Sequence, residues 1–153
     1  MSRIEARLTD LGLSLPEVAA PVAAYVPAIA VDGTAQTSGQ LPFVEGALPG
    51  TGKVGAEVSA EAAKEYAATA ALNALAAVKQ EIGDLDRITR IVKVVVFVAS
   101  APDFVQQPQV ANGASELLGQ VFGDRGQHVR SAVGVAVLPL DAPVELELTV
   151  TYE

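Results

Sequence analysis

The run Ile88-Thr89-Arg90-Ile91-Val92-Lys93-Val94-Val95-Val96-Phe97-Val98-Ala99 decides the fold. Ile91, Val92, Val94, Val95, Val96 and Val98 are β-branched, stiff at χ1 and suited to a pleated surface, so the run is a strand. It is too continuously apolar for an edge strand with one wet side. It therefore predicts a strand buried on both faces, which requires packing layers from the flanking sequence.

Upstream, Ser59 can cap a helix and Glu61 places an anion in its first turn, where the helix dipole favours it. At 100° per residue, Ala68, Ala71, Leu72, Leu75, Val78 and Ile82 share one arc, with Tyr66, Thr69, Asn73 and Gln80 opposite. The spacing predicts a helix over 60–82, stopped by Gly83, whose Ala-rich face permits close approach to a sheet. Downstream of Pro102, Val110, Ala114, Leu117, Leu118 and Val121 recur at helical spacing until Gly123. Two strands follow, Ser131 to Leu138 and Val144 to Tyr152, parted by Pro139-Leu140-Asp141-Ala142-Pro143. In the last strand Val144, Leu146, Leu148 and Val150 alternate with Glu145, Glu147, Thr149 and Thr151.

Toward the N-terminus, Asp32-Gly33 between Ala28-Ile29-Ala30-Val31 and Thr34-Ala35-Gln36-Thr37 predicts a tight hairpin. Residues 42–56 read as a long loop. Residues 13–27, with Pro16, Pro21 and Pro27, form an extended connector. Ser2-Arg3-Ile4-Glu5 has capping-box spacing, and Ile4, Leu8 and Leu11 line one side of a short helix ended by Gly12. The order is a helix and then β-β-α-β-α-β-β. This is an α+β chain with a mixed sheet and two helices on one face, one domain over 1–153 with a helical extension over about 1–15. So small an open sheet leaves edges and a bare face, which points to self-association.

Composition narrows the chemistry. The 153 residues include no Cys and one His, so thiol catalysis, disulfides and multi-histidine metal sites are excluded. The 10 Lys+Arg against 18 Asp+Glu leave a net charge of −8, which disfavours nucleic acid and anionic membranes as partners. No segment reads as a signal peptide or membrane span, so the expected location is cytoplasmic. Carboxylates, cations, hydroxyls and backbone groups remain.

Gly46-Ala47-Leu48-Pro49-Gly50-Thr51-Gly52-Lys53-Val54 invites comparison with a phosphate-binding loop, but Ala47 and Val54 stand where that motif needs Gly and a hydroxyl. Asp84 and Asp86 read as a solvated turn, and Tyr66 and Phe122 as packing residues. His128, the one side chain whose ordinary titration lies near neutral pH, precedes Arg130 by two positions; it reads first as a partly buried surface residue, and alternatively as a pocket partner of Arg130. Arg130 opens one strand and Glu145 the next. An arginine fork at a strand end suits bidentate capture of a carboxylate, while Glu145 orients a water or pairs with Arg130; the ion pair is the simpler reading.

Read together, Thr37-Ser38-Gly39-Gln40-Leu41-Pro42, the Ala-rich helix, the Val-rich strand, Arg130-Ser131-Ala132-Val133-Gly134-Val135-Ala136-Val137-Leu138-Pro139 and Val144-Glu145-Leu146-Glu147 resemble the Rid (reactive intermediate deaminase) family. These proteins are also called YjgF-like or endoribonuclease L-PSP proteins. The likeness covers about residues 25–152. It implies a chorismate-mutase-like fold and a homotrimer with ligand clefts between subunits. It also implies hydrolysis of small enamine or imine acids to 2-keto acids and ammonia, with no metal or organic cofactor.

By the same resemblance Arg130 clamps the substrate carboxylate, Glu145 positions water, and Gly39 offers a backbone contact. Tyr25 is the pocket tyrosine, and Ser115 stands where an Asn is common. With His128 these make up the expected substrate-binding set. Three departures mark a divergent branch: Ala23-Ala24-Tyr25-Val26-Pro27 replaces Gly-Pro-Tyr-Ser-Gln, Ala132 replaces a frequent Cys, and Ser115 replaces the Asn. The alternative to a deaminase is a trimer that binds a small carboxylic, imino or keto acid without turnover. A ribonuclease or translation inhibitor ranks third.

Overall fold

The computed structural model describes residues 2–18, 20–21 and 23–153. Five strands, β1 (Ala28–Val31), β2 (Thr34–Thr37), β3 (Ile88–Ala99), β4 (Val129–Val135) and β5 (Val144–Tyr152), lie in the order β1-β2-β5-β3-β4. Only β3 and β4 are parallel. Parallel neighbours need a crossover, and α3 (Gln107–Phe122) supplies it. Helix α2 (Ala60–Ile82) lies beside α3 on the same face, and α1 (Arg3–Asp10) docks at the end of that layer. Among the described residues, no helix is long and apolar enough to cross a membrane.

Local chemistry sets the element ends. Ser59 Oγ accepts the Ala62 N–H at the start of α2, and Gly83 ends that helix at φ 90°. Asp32 and Gly33, at φ 51° and 79°, turn the β1–β2 hairpin. Ser2 Oγ accepts the Glu5 N–H in α1, which buries Ile4 and Leu8. Val94, Val96 and Val98 of β3, with Leu146, Leu148 and Val150 of β5, are sealed beneath the helices. Helices α2 and α3 touch backbone to backbone: a Cβ on Gly113 would run into the Lys64 carbonyl.

Several expectations need correction. The sequence predicts burial of β3 on both faces, but Val95 and Phe97 on the bare face are only partly covered and Lys93 is exposed. A valine run does not say whether its second cover comes from a helix or from another chain. On the same face Ile29 (55%), Val31 (55%), Val129 (64%) and Val133 (44%) stand exposed.

Strand β4 also begins two residues before the expected Ser131, because its ladder with β3 starts at the Lys93–Val129 pair. Asn73, expected on the polar side of α2, is buried and donates to the carbonyls of Leu41 and Phe43. Asp86 is more than a solvated turn residue: its carboxylate accepts the Arg3 and Ile4 N–H groups at 2.9 and 2.8 Å and so caps α1 from a distance. The 42–56 loop is anchored at Val54, which is fully buried and bonded to Ala99 and Ala101.

Candidate functional site

Arg130 pairs with Val94 in the β3–β4 ladder and therefore points to the helix side of the sheet. Its Nη1 donates to Asn112 Oδ1 at 2.7 Å and to Ser115 Oγ at 3.2 Å, and its Nη2 to the Pro108 carbonyl at 3.4 Å. All three partners belong to α3, which holds the guanidinium from one side. Of the five guanidinium donors, these bonds leave two for a ligand.

Beside it, His128 Nε2 lies 2.8 Å from Ser115 Oγ and Nδ1 lies 2.6 Å from the Gly126 carbonyl. A carbonyl can only accept, so Nδ1 carries the proton, and in the neutral ring Nε2 takes the Ser115 hydroxyl hydrogen. Ser115, Gly119, Gly126, Gln127, His128 and Arg130 line an open cavity of about 350 Å³. His128 is thus half-buried in the same open cavity as Arg130, with both ring nitrogens engaged.

Tyr25, Gly39 and Glu145 converge elsewhere. The Gln40 N–H donates to the Leu146 carbonyl and the Leu146 N–H to the Gln40 carbonyl, and Ser38 Oγ donates to the Val26 carbonyl at 2.6 Å. These bonds hold Gly39 against β5, where an added Cβ would fall 2.7 Å from Glu145 Cδ. The glycine leaves room for that carboxylate. A cavity of about 150 Å³ opens here, lined by Tyr25, Pro27, Gly39, Phe43, Leu140 and Glu145 among others.

Burial raises the Glu145 pKa above the ordinary glutamate value, and the negative charge of Glu147 on the same strand face adds to the shift. Leu140, at φ 59°, and Asp141, at φ 57°, are both left-handed at the rim. They are tied down by the Gly52 N–H to the Asp141 carbonyl and by a Lys53–Asp141 ion pair at 3.1 Å.

The six sequence-derived residues therefore fall into two groups, Arg130 with Ser115 and His128, and Glu145 with Tyr25 and Gly39. Strand β3 separates them. Glu145 pairs with Phe97 and Arg130 with Val94, so two strand spacings and three residues put their Cα atoms about 14 Å apart on opposite faces. The simple Arg130–Glu145 ion pair does not form within one chain. Sequence reasoning overlooked Asn112, three residues before Ser115 on the same face of α3, which anchors Arg130. Helical spacing from Ser115 was the signal available. Among the described residues, no three His, Asp or Glu side chains converge as a metal site.

Residues 5–150 match the model of a family described as YjgF/chorismate mutase-like and as candidate endoribonucleases. Protein TCP17 of Trypanosoma cruzi is 42% identical over 149 residues, covering 97% of this chain and 93% of that protein. The crystal structure of Atu1372 from Agrobacterium tumefaciens, described as of unknown function, superposes with a TM-score of 0.92 at 43% identity, covering 99% of this chain and 93% of that one. A Shewanella oneidensis protein described as a candidate endoribonuclease superposes with a TM-score of 0.94 at 34% identity, covering 97% and 98%.

Proposed function

The chain belongs to the YjgF/chorismate mutase-like family, and from that premise we propose that it is a homotrimer hydrolysing small enamine and imine acids to 2-keto acids and ammonia. One observation carries this reading: the Arg130 group and the Glu145 group are each open and cannot meet within one chain. A second copy that brings its Glu145 group to the first copy's Arg130 completes the site. The exposed Ile29, Val31, Val129 and Val133 on the bare face supply apolar surface for such packing.

In this reading the two free donors of Arg130 hold the substrate carboxylate as a fork, while Tyr25 and the Gly39 backbone shape the pocket. Glu145 orients a water, whose oxygen bonds to the imine carbon while its proton passes by way of the carboxylate to the nitrogen, and the resulting amino alcohol expels ammonia as its C–N bond breaks and the carbonyl forms. A carboxyl with a raised pKa is suited to passing that proton. Most of the acceleration comes from placement and electrostatics.

The test generates imino acids with an amino acid oxidase and follows their loss. Wild-type protein accelerates it and Arg130→Ala does not; equal rates with and without protein overturn the reading. The altered pocket residues Ser115 and Ala132 favour the second reading, binding without turnover, because binding needs only the Arg130 clamp while hydrolysis also needs a placed water. Saturable binding of a keto acid without consumption of an imine would select it. Ribonuclease action, carried by the descriptions of relatives, is opposed by the net charge of −8.

A further inference from the structure

The cavity beside Arg130 holds a chemistry that imine hydrolysis does not use. Ser115 Oγ sits 2.8 Å from His128 Nε2 and 3.2 Å from Arg130 Nη1, and His128 Nδ1 sits 2.6 Å from the Gly126 carbonyl. A hydroxyl, a base with its lone pair on that hydroxyl, and a third group fixing the base is the arrangement of an activated nucleophile. We propose that Ser115 is a nucleophile activated by His128, and that this cavity hydrolyses small activated acyl esters bearing an anionic group. The assignment stands on this geometry and not on the imine reading.

Three features favour chemistry over simple packing. First, the orienting carbonyl is rigid. The Gly123–Gly126 turn is stapled to β3 by Arg90 Nη1, which donates to the carbonyls of Asp124 and Gln127, and by Arg125 Nη1, which donates to the Ile88 carbonyl. Gly126 itself is buried so tightly that a Cβ would run into the Leu118 carbonyl. The imidazole is thereby held in one tautomer.

Second, the hydroxyl is approachable. Gly119, one helical turn after Ser115, lines the cavity, and a Cβ there would meet nothing within 4 Å. Third, the lining holds the Arg130 cation and no carboxylate, so an anionic acyl group is drawn in despite the acidic chain. The same guanidinium steadies negative charge on Ser115 Oγ and on the carbonyl oxygen it attacks.

In the forward step Ser115 Oγ bonds to the acyl carbon, the carbonyl electron pair moves to oxygen, and the hydroxyl proton passes to His128 Nε2. Collapse breaks the bond to the leaving alkoxide, which takes that proton. Water, deprotonated by His128, then attacks the acyl-serine, releases the acid and restores Ser115. No oxidant or metal is needed.

The full-length chain is tested with mono-p-nitrophenyl glutarate against p-nitrophenyl acetate. Release of nitrophenolate is followed, and the acyl adduct is located by mass spectrometry. The expected result is a glutaryl adduct on Ser115, faster release from the anionic ester, and a loss of about a hundredfold in Ser115→Ala and in His128→Gln. Ser115→Cys guards against misfolding, because in a chain without cysteine it should be acylated at that one position. Adducts confined to lysines, or a Ser115→Ala rate equal to wild type, overturn the proposal.

Discussion

On β5, Leu148 and its neighbours Leu146 and Val150 are sealed at 1% exposure or less beneath the helices, while Glu145, Glu147 and Thr149 look out from the other side. The same strand thus serves two faces under different demands. The helix-covered face gains its stability within one chain, from β-branched and leucine side chains under two alanine-rich helices. The bare face keeps valines, a phenylalanine and a carboxylate of raised pKa partly in water, an arrangement that favours association over self-sufficient packing. Arg130 reaches the covered face at the edge of the sheet and Glu145 belongs to the bare one, so the proposed site is divided along the same line as the packing.

The sharpest way to break this contrast is a matched pair of truncations. Leu148→Ala should cost about 2–5 kcal/mol in urea unfolding, whereas Phe97→Ala, measured at a dilution where the chain is monomeric, should cost less than about 1 kcal/mol. Equal costs would mean that the bare face stabilises the monomer as much as the covered one does. Next in size, Arg130→Ala should weaken binding of a small carboxylate about a hundredfold, roughly 2.7 kcal/mol, with a melting temperature within a few degrees of wild type, since its contacts lie at the sheet edge.

A smaller effect is expected at the cap of α1. Asp86→Ala should cost about 1 kcal/mol at neutral pH, the usual worth of a lost cap. Burial raises the Asp86 pKa, but the N–H groups of Arg3 and Ile4 and the Arg3 charge together outweigh it and leave the carboxyl below the ordinary aspartate value. A depressed folded pKa stabilises above the unfolded value and loses that contribution as pH falls through the folded one. The gap between the two proteins should therefore close in strong acid, and melting curves at neutral and acid pH would show it.

Glu145→Gln should produce the smallest change and the opposite sign. Its raised folded pKa means that stability falls as pH climbs from the ordinary glutamate value through the raised one, so the neutral side chain should melt higher at pH 7 by at most a few degrees. A lower melting point in that variant would show that the carboxylate is held by favourable contacts.

Elements whose ends are set by adjacent residues were readable in the chain itself. Helix α2 runs from Ala60 to Ile82 as its flanking Ser59 and Gly83 require, and β3 and β5 span the stretches that their side chains mark out. Strand β4 runs from Val129 to Val135 and not over 131–138, because its bounds depend on pairing with Lys93 to Ala99, far away in sequence. Asn73 was misread because periodicity reports polarity and cannot foresee that two loop carbonyls, Leu41 and Phe43, will seek its amide. For the site, residue types and strand ends singled out Arg130 and Glu145. Their separation was hidden, because β4 and β5, consecutive in the chain, are not neighbours in this sheet: β3 lies between them.

At Gly113 the absence of a side chain lets α3 rest on the Lys64 carbonyl of α2. Two helices in such contact cannot slide or part independently without opening a gap along their seam. The transient openings that admit solvent to their amides should accordingly be shared. In native-state hydrogen exchange, α2 and the central turns of α3 should respond to rising denaturant as one cooperative unit, while the hairpin of β1 and β2 exchanges by its own, more frequent excursions.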